Sequence, residues 1–286
     1  MKLRKIATGI FVLLCVAAVI AVAAFVHSER TRVSTQKFDL RDINTVSEAQ
    51  WRKLAGQKIF FAHMSVGLNM IDGMKAVMAR NDNIRLNIVE TADPRHFTAP
   101  VFAHAKLGHN TDPLAKLQSF RSQMDSVGPV VDVAFLKFCY VDIRRDTNAA
   151  ALFASYRKTI ADLQTKFPNV RFIHLTVPLT SQPVALKSRI KGLIKTAIGS
   201  PGVAEDNARR DEYNTLLKAK FGPTGSVFDL AAVESALPDG RTCFVRKGGK
   251  AIPLMAKAWT TDGGHLNPRG QHRVAQQLLT TLATLP

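Results

Sequence analysis

Two residues that stand three positions apart, Asp262 and His265, are suited by type and spacing to acid–base chemistry. They lie in the stretch TTDGGHLNPRG at 260–270, among glycines and just before an Asn-Pro pair that predicts a helix start. A carboxylate at this spacing can contact the imidazole, fix its tautomer and stabilise its charged form. A histidine held in this way acts as a general base near neutral pH. Because no other cluster of metal-ligating side chains stands nearby in the sequence, the pair predicts a base and no metal site.

The candidate partner of this base is Ser65, in the stretch HMSVG at 63–67. An apolar run precedes it and a helical pattern follows it. Ser65 should therefore lie at the end of a strand, near backbone N–H groups and the positive end of a helix dipole. Serine is also a common helix N-cap, and the local sequence leaves both roles open. A candidate base elsewhere in the chain makes the nucleophile the favoured role for Ser65.

Short apolar runs alternate with longer amphipathic segments over most of the chain. The predicted strands are at 58–63, 85–91, 130–138, 170–178 and 226–231. The predicted helices are near 66–80, 113–127, 147–167, 205–221 and 267–284. This alternation is typical of an α/β fold with three layers, α/β/α, around a mostly parallel sheet of about five strands. Two stretches interrupt it, 181–204 and 238–259, and the second is expected to form a hairpin.

The N-terminal part of the sequence predicts export. Basic residues in MKLRK precede an uncharged apolar run at 6–26, which is long enough to cross a bilayer. We expect 1–27 to be a signal-anchor or transmembrane helix, 28–50 a polar linker and 51–286 one domain. The positive residues place that domain beyond the inner membrane, in the periplasm. Cleavage after the small residues of AVAA would release it as a secreted protein, and the sequence leaves this open.

The charge of the chain bears on its partners. A formal net charge of +17 favours anionic lipid headgroups or acidic polysaccharide as partners, although a solvated basic face is an equal alternative. Nucleic acid is not expected, because the basic residues are scattered and no nucleic-acid motif accompanies them. Cys139 and Cys243 could form a disulfide in an oxidising compartment, or they could be two buried thiols.

The stretches HMSVG and DGGHLNPRG together resemble the SGNH/GDSL hydrolases, over residues 57–284. The resemblance implies a flavodoxin-like fold in which Ser65 is the nucleophile, His265 the base and Asp262 the acid that orients it. It also implies an oxyanion hole formed by the backbone N–H of Ser65 and that of Gly108, in LGHNTDP. No metal or organic cofactor is implied.

The sequence departs from the family's pattern in two places. FCYVDI at 138–143 stands where the family has Gly-x-Asn-Asp, so the asparagine of the oxyanion hole is absent. Asn110 or Tyr140 could supply the donor, and Asn110 is favoured. His63-Met64 replaces the usual Gly-Asp before the nucleophile. Tyr140 could contact substrate. His63 could also contact substrate, or it could be a structural histidine.

The expected function is that of an extracytoplasmic serine esterase or acyltransferase. Its substrate would carry small ester-linked acyl groups, such as acetyl, on a cell-envelope or exopolysaccharide glycan, with a lipid ester second. The alternative is a non-catalytic module that keeps the fold and binds polysaccharide on its basic face.

Overall fold

The computed structural model describes residues 31–182 and 202–285. The predicted membrane or signal segment at 6–26 and most of the interruption at 181–204 lie outside these residues. Within the two described ranges, no helix is long and apolar enough to cross a membrane.

The central sheet has six parallel strands in the order β3-β4-β2-β5-β6-β7. The strands are β2 (Lys58–His63), β3 (Ile88–Glu90), β4 (Val101–Lys106), β5 (Val133–Leu136), β6 (Arg171–Leu175) and β7 (Val227–Phe228). The sequence predicted five of them. It missed β4 because that strand reads VFAHAK, in which alanine and histidine replace the β-branched residues that usually indicate a buried strand.

Helices cover both faces of the sheet, as the three-layer prediction requires. The helices are α1 (Glu48–Ala55), α2 (Val66–Met78), α3 (Pro113–Val127), α4 (Ala149–Lys166), α5 (Val203–Phe221), α6 (Leu230–Ser235) and α7 (Pro268–Ala283). Alternate residues of β2 point to opposite faces. Ile59 and Phe61 join the core under α1, α2 and α7, while Phe60 and Ala62 join the core under α3, α4 and α5.

A second, antiparallel sheet has the order β1-β8-β9. Its strands are β1 (Arg32–Lys37), β8 (Arg241–Lys247) and β9 (Lys250–Pro253). β8 and β9 form the hairpin that the sequence predicted. β1 and the first three residues of α1 lie in the segment at 28–50 that was expected to be a linker, so this segment contains regular structure. β1 pairs through its backbone and buries almost no side chains, and it therefore leaves no apolar pattern in the sequence.

Close packing joins the helix after Ser65 to the helix after His265. A Cβ on Gly73, in α2, would lie only 2.2 Å from the carbonyl oxygen of Gln271, in α7. Glycine therefore lets the two helix backbones approach directly. The Asn69 side chain of α2 also accepts a hydrogen bond from the N–H of Leu266, at 3.1 Å. Ser65 and His265, which are 200 positions apart in the chain, are thus held close together.

The two cysteines in the described ranges, Cys139 and Cys243, are both buried and both free. Of the two possibilities that the sequence left open, the structure shows the pair of buried thiols.

Candidate active site

Ser65 occupies a sharp turn between β2 and α2. Its backbone has φ of +53° and ψ of −110°, a conformation that L-residues other than glycine rarely adopt. Ser65 occupies the N-cap position of α2, but its side chain makes no capping hydrogen bond to the start of the helix. The Oγ instead lies 2.6 Å from Nε2 of His265. Backbone strain that points a side chain at a base is typical of a functional site.

Asp262 holds His265 from the other side. Asp262 Oδ2 lies 2.7 Å from His265 Nδ1, and Oδ1 accepts the backbone N–H groups of Gly264 and His265 at 2.9 and 2.8 Å. Partial burial tends to raise the pKa of Asp262, but these hydrogen bonds outweigh it and hold the pKa well below its usual range. The carboxylate is therefore ionised at neutral pH and accepts a hydrogen bond from the Nδ1–H of His265. Nε2 then carries no proton and is free to accept the hydrogen bond of the Ser65 hydroxyl.

The structure thus brings together all three residues of the predicted triad in one hydrogen-bonded chain. Their catalytic roles stay predictions, because the geometry alone measures no reaction. The chain of contacts is the arrangement in which a serine hydroxyl loses its proton to histidine while a carboxylate stabilises the imidazolium.

Tyr140 lies against the loop that carries the base. Its ring packs edge-on against that of His265, with centroids 5.8 Å apart. A Cβ on Gly264 would come within 2.7 Å of the tyrosine hydroxyl, so the glycine makes this contact possible. Tyr140 also lines a cavity of about 600 Å³ with Arg144, Arg210 and the 261–264 loop. This position is compatible with substrate contact, which stays a prediction.

A larger cavity, of about 680 Å³, lies at the amino ends of β6 and β7. It is lined by Arg171 and Ser226, which flank those strands, and by no member of the triad. Ligands of parallel sheets bind at the carboxyl ends of strands, which is where the smaller cavity, lined by Tyr140 and Asp262, lies.

His63 is buried, with 4% of its surface exposed. Its Nε2 lies 3.1 Å from His104 Nδ1, and its ring packs against Phe61. Burial is the main reason that its pKa is lowered to about 3, so the imidazole is neutral. A Cβ on Gly67 would overlap His63, which shows how closely α2 covers the ring. Of the two predicted roles, this buried position favours the structural histidine, and the substrate contact stays a prediction.

The predicted oxyanion donors differ in availability. The N–H of Ser65 has no acceptor in the described part of the chain. The N–H of Gly108 donates to the Ser119 hydroxyl at 3.2 Å and would have to give up that bond. Asn110 is exposed, and its Oδ1 accepts from Lys116, so its amide nitrogen stays available. The N–H of Ser65 and the Asn110 amide nitrogen are therefore freer to donate than the N–H of Gly108, and the three oxyanion roles stay predictions.

Sequence reasoning missed the buried pair Lys116 and Asp142, which lies behind this loop. Asp142 was noted only as part of FCYVDI, and a lysine in a helix ordinarily indicates an exposed position. No sequence signal distinguished Lys116 from the many other lysines. Among the described residues, no group of three or more His, Cys, Asp or Glu side chains could hold a metal ion.

No family model matches this sequence, and none of the curated proteins does. Similar solved structures include the periplasmic domain of a lipopolysaccharide acetyltransferase from Salmonella ser. Paratyphi A, with 13% identity and a TM-score of 0.47 over 80% of this chain and 84% of that one. A lipase/acylhydrolase from Enterococcus faecalis has 13% identity and a TM-score of 0.46, over 79% of this chain and 95% of that one. A catalytic mutant of an acetylxylan esterase from Geobacillus stearothermophilus has 13% identity and a TM-score of 0.41, over 80% and 94%.

Each of these descriptions belongs to that protein alone. The chemistry open to this chain follows from the geometry of its own site.

Proposed function

We propose that this protein is a divergent SGNH/GDSL-type serine esterase or acyltransferase that acts on ester-linked acyl groups. The observation that supports the proposal most is the continuous hydrogen-bonded chain from Ser65 through His265 to Asp262, with heavy-atom distances of 2.6 and 2.7 Å. A serine that only capped a helix, or a histidine that only packed at the surface, would not need this alignment.

In the first half of the reaction, Ser65 Oγ attacks the acyl carbon and its proton moves to His265 Nε2. Electrons of the carbonyl bond move to its oxygen, and the N–H of Ser65 and the amide of Asn110 stabilise the resulting anion. As the tetrahedral intermediate collapses, the ester C–O bond breaks and the leaving alcohol takes the proton from Nε2. The acyl group is then bound to Ser65.

The second half repeats these steps with a different nucleophile. Water, or the hydroxyl of an acceptor sugar, loses its proton to His265 Nε2 and attacks the acyl carbon. Collapse of the second intermediate breaks the bond to Ser65 Oγ and returns the proton to it. Attack by water gives hydrolysis, and attack by a sugar hydroxyl gives acyl transfer. The same triad serves both outcomes.

We propose acetyl groups on a cell-envelope or exopolysaccharide glycan as the substrate, with a lipid ester as the second choice. The support is indirect. The apolar run at 6–26 favours a domain beyond the inner membrane, anchored by that segment or released from it, and the net charge of +17 favours an acidic polymer. Some similar structures are described as an acetylxylan esterase and a lipopolysaccharide acetyltransferase, which is said of those proteins alone.

The experiment that tests the proposal measures turnover of 4-nitrophenyl acetate by the full-length protein. We expect Ser65→Ala and His265→Ala each to lower kcat by at least ~10³-fold, and the double variant to be no worse than either, because the residues act as a unit. Ser155→Ala is the matched control, since its hydroxyl only donates to the Ala151 carbonyl within α4. Acetate release from an acetylated polysaccharide then distinguishes hydrolysis from transfer.

The non-catalytic polysaccharide-binding module is the outcome that would replace this proposal. The absence of the family's asparagine from FCYVDI is the observation that favours it. Folded wild-type protein that turned over no ester, yet bound an acidic polysaccharide equally well with and without Ser65→Ala, would establish it.

A further inference from the structure

Lys116 and Asp142 form an ion pair that lies outside the triad. Lys116 Nζ is 2.6 Å from Asp142 Oδ2, and both side chains have 0% exposure. A buried pair of this kind is weak evidence for stability, because the cost of taking two charges out of water can exceed their attraction. Some other property of the molecule must explain why the pair is present.

The other partners of Asp142 show that it joins two loops. Its Oδ1 accepts the N–H of Thr111 at 2.8 Å, and its Oδ2 accepts the N–H of Cys139 at 2.6 Å. Thr111 lies in the loop after β4, and Cys139 lies in the turn after β5. These strands are the two neighbours of β2, whose end leads to Ser65. The carboxylate therefore ties together the loops on either side of the nucleophile.

The loop after β4 is held in an unfavourable shape. Thr111 has φ of +73°, a conformation that is unfavourable for a β-branched residue. Such strain persists only where the surroundings impose it, and the bond from Thr111 N–H to Asp142 does so. The residue immediately before it, Asn110, is therefore fixed at its backbone.

The side chain of Asn110 is fixed as well. Lys116 Nζ donates to Asn110 Oδ1 at 2.9 Å. An ammonium group can only donate, whereas an amide has one end that accepts and one that donates. The contact therefore selects one of the two amide orientations, with Oδ1 toward Lys116 and the Nδ2 donors turned away from it.

We infer that Lys116, held by Asp142, is a positioning residue that orients the Asn110 amide so that its Nδ2 donates to the oxyanion. The inference rests on the proposed function. It assigns a task to the buried ion pair, and it explains how a donor from the loop after β4 can work without the asparagine that is missing after β5.

The test is a double-mutant cycle in the full-length protein, with kcat and KM measured on 4-nitrophenyl acetate. Asn110→Ala should lower kcat by about 10²-fold, as loss of one oxyanion donor does, with KM changed less than about threefold. Lys116→Met should lower kcat by about 10-fold or more with the same small effect on KM. Because Lys116 acts through Asn110, the double variant should be no slower than Asn110→Ala.

Lys158→Met is the matched control, since Lys158 makes an exposed ion pair with Asp162 on α4, and its kcat should not change. If Lys116→Met alone does not fold, Lys116→Met with Asp142→Asn removes both charges and keeps an oxygen for one of the two backbone N–H groups that Asp142 accepts. That variant should show the same loss in kcat, and again no additional loss with Asn110→Ala.

Two results would overturn the inference while leaving the proposed function intact. One is an active wild type whose kcat is unchanged by Asn110→Ala. The other is a double variant whose loss is the product of the single losses, which would mean that Lys116 acts independently of Asn110. A folded wild type that matches Ser65→Ala in turnover would instead refute the proposed function, and the inference with it.

Discussion

Replacement of Asp262 by asparagine should slow the reaction strongly, because it reverses the direction of the hydrogen bond between this side chain and His265 Nδ1. In the wild type, Oδ1 is engaged by two backbone N–H groups, so in Asp262→Asn the amide oxygen takes that place. The amide N–H2 then faces His265 Nδ1 as a donor, and this forces the imidazole proton onto Nε2. In that tautomer Nε2 cannot accept the proton of Ser65.

The size of the effect follows from how exposed the pair is. Replacing the buried carboxylate of a Ser-His-Asp triad by asparagine lowers kcat by about 10⁴-fold. Here the side chains of Asp262 and His265 are 54% and 45% exposed, so water competes for the imidazole and weakens the preference between tautomers. We therefore expect a loss nearer 10³-fold, or about 4 kcal/mol of transition-state stabilisation.

The assay is steady-state hydrolysis of 4-nitrophenyl acetate, with thermal unfolding measured on the same samples. The melting temperature of Asp262→Asn should stay near that of the wild type, because both backbone N–H groups keep an acceptor. Asp125→Asn is the matched control, since Asp125 is an exposed residue of α3 paired with Lys166. A folded Asp262→Asn protein whose kcat stayed within about tenfold of the wild type would refute this reasoning about the tautomer.

Two further predictions concern stability. Gly73→Ala should destabilise the fold by about 2 kcal/mol or more, because the added Cβ would overlap the backbone oxygen of Gln271. Urea unfolding measures this change, and an unfolding curve that matched the wild type would contradict the close packing of α2 on α7. Burial raises the pKa of Glu234 to about 8, above its ordinary 4.5, so its contribution to stability is complete below the ordinary value and is lost as the pH rises through about 8. Glu234→Gln stays neutral at all pH values and keeps an acceptor for the Leu179 N–H. Between about pH 5 and about pH 9, the free energy of unfolding should therefore fall less in Glu234→Gln than in the wild type. The difference between the two decreases should be at least about 1 kcal/mol. Parallel pH profiles would show that Glu234 is not the group responsible.

The residues of the triad could be predicted because each lies in a local pattern with few alternatives. Asp262 and His265 share one turn, and Ser65 follows a strand whose apolar residues fill both cores. The positions of the strands followed from the same alternation, except at β4. There, tertiary contacts and not side-chain propensity decide that VFAHAK is extended and buried between β3 and β2.

What could not be predicted depends on contacts between distant parts of the chain. β1 has no apolar pattern of its own, because backbone pairing with β8 decides its structure. On sequence grounds His63 could be a substrate contact or a core residue, and its burial under α2, which favours the core, depends on packing that the sequence does not show. Lys116 is buried because a carboxylate 26 positions away accepts its hydrogen bond, a pairing that no periodicity reveals.

The central claim is that Ser65 is an activated nucleophile, and covalent capture tests it most directly. Full-length wild-type protein and Ser65→Ala would be treated with a fluorophosphonate, digested and analysed by mass spectrometry. We predict one adduct on the peptide that contains Ser65, formed in the wild type and absent from Ser65→Ala. Labelling should also be lost in His265→Ala, because the hydroxyl needs its base. Folded wild-type protein that formed no adduct at Ser65, or equal labelling of Ser65→Ala, would contradict the account.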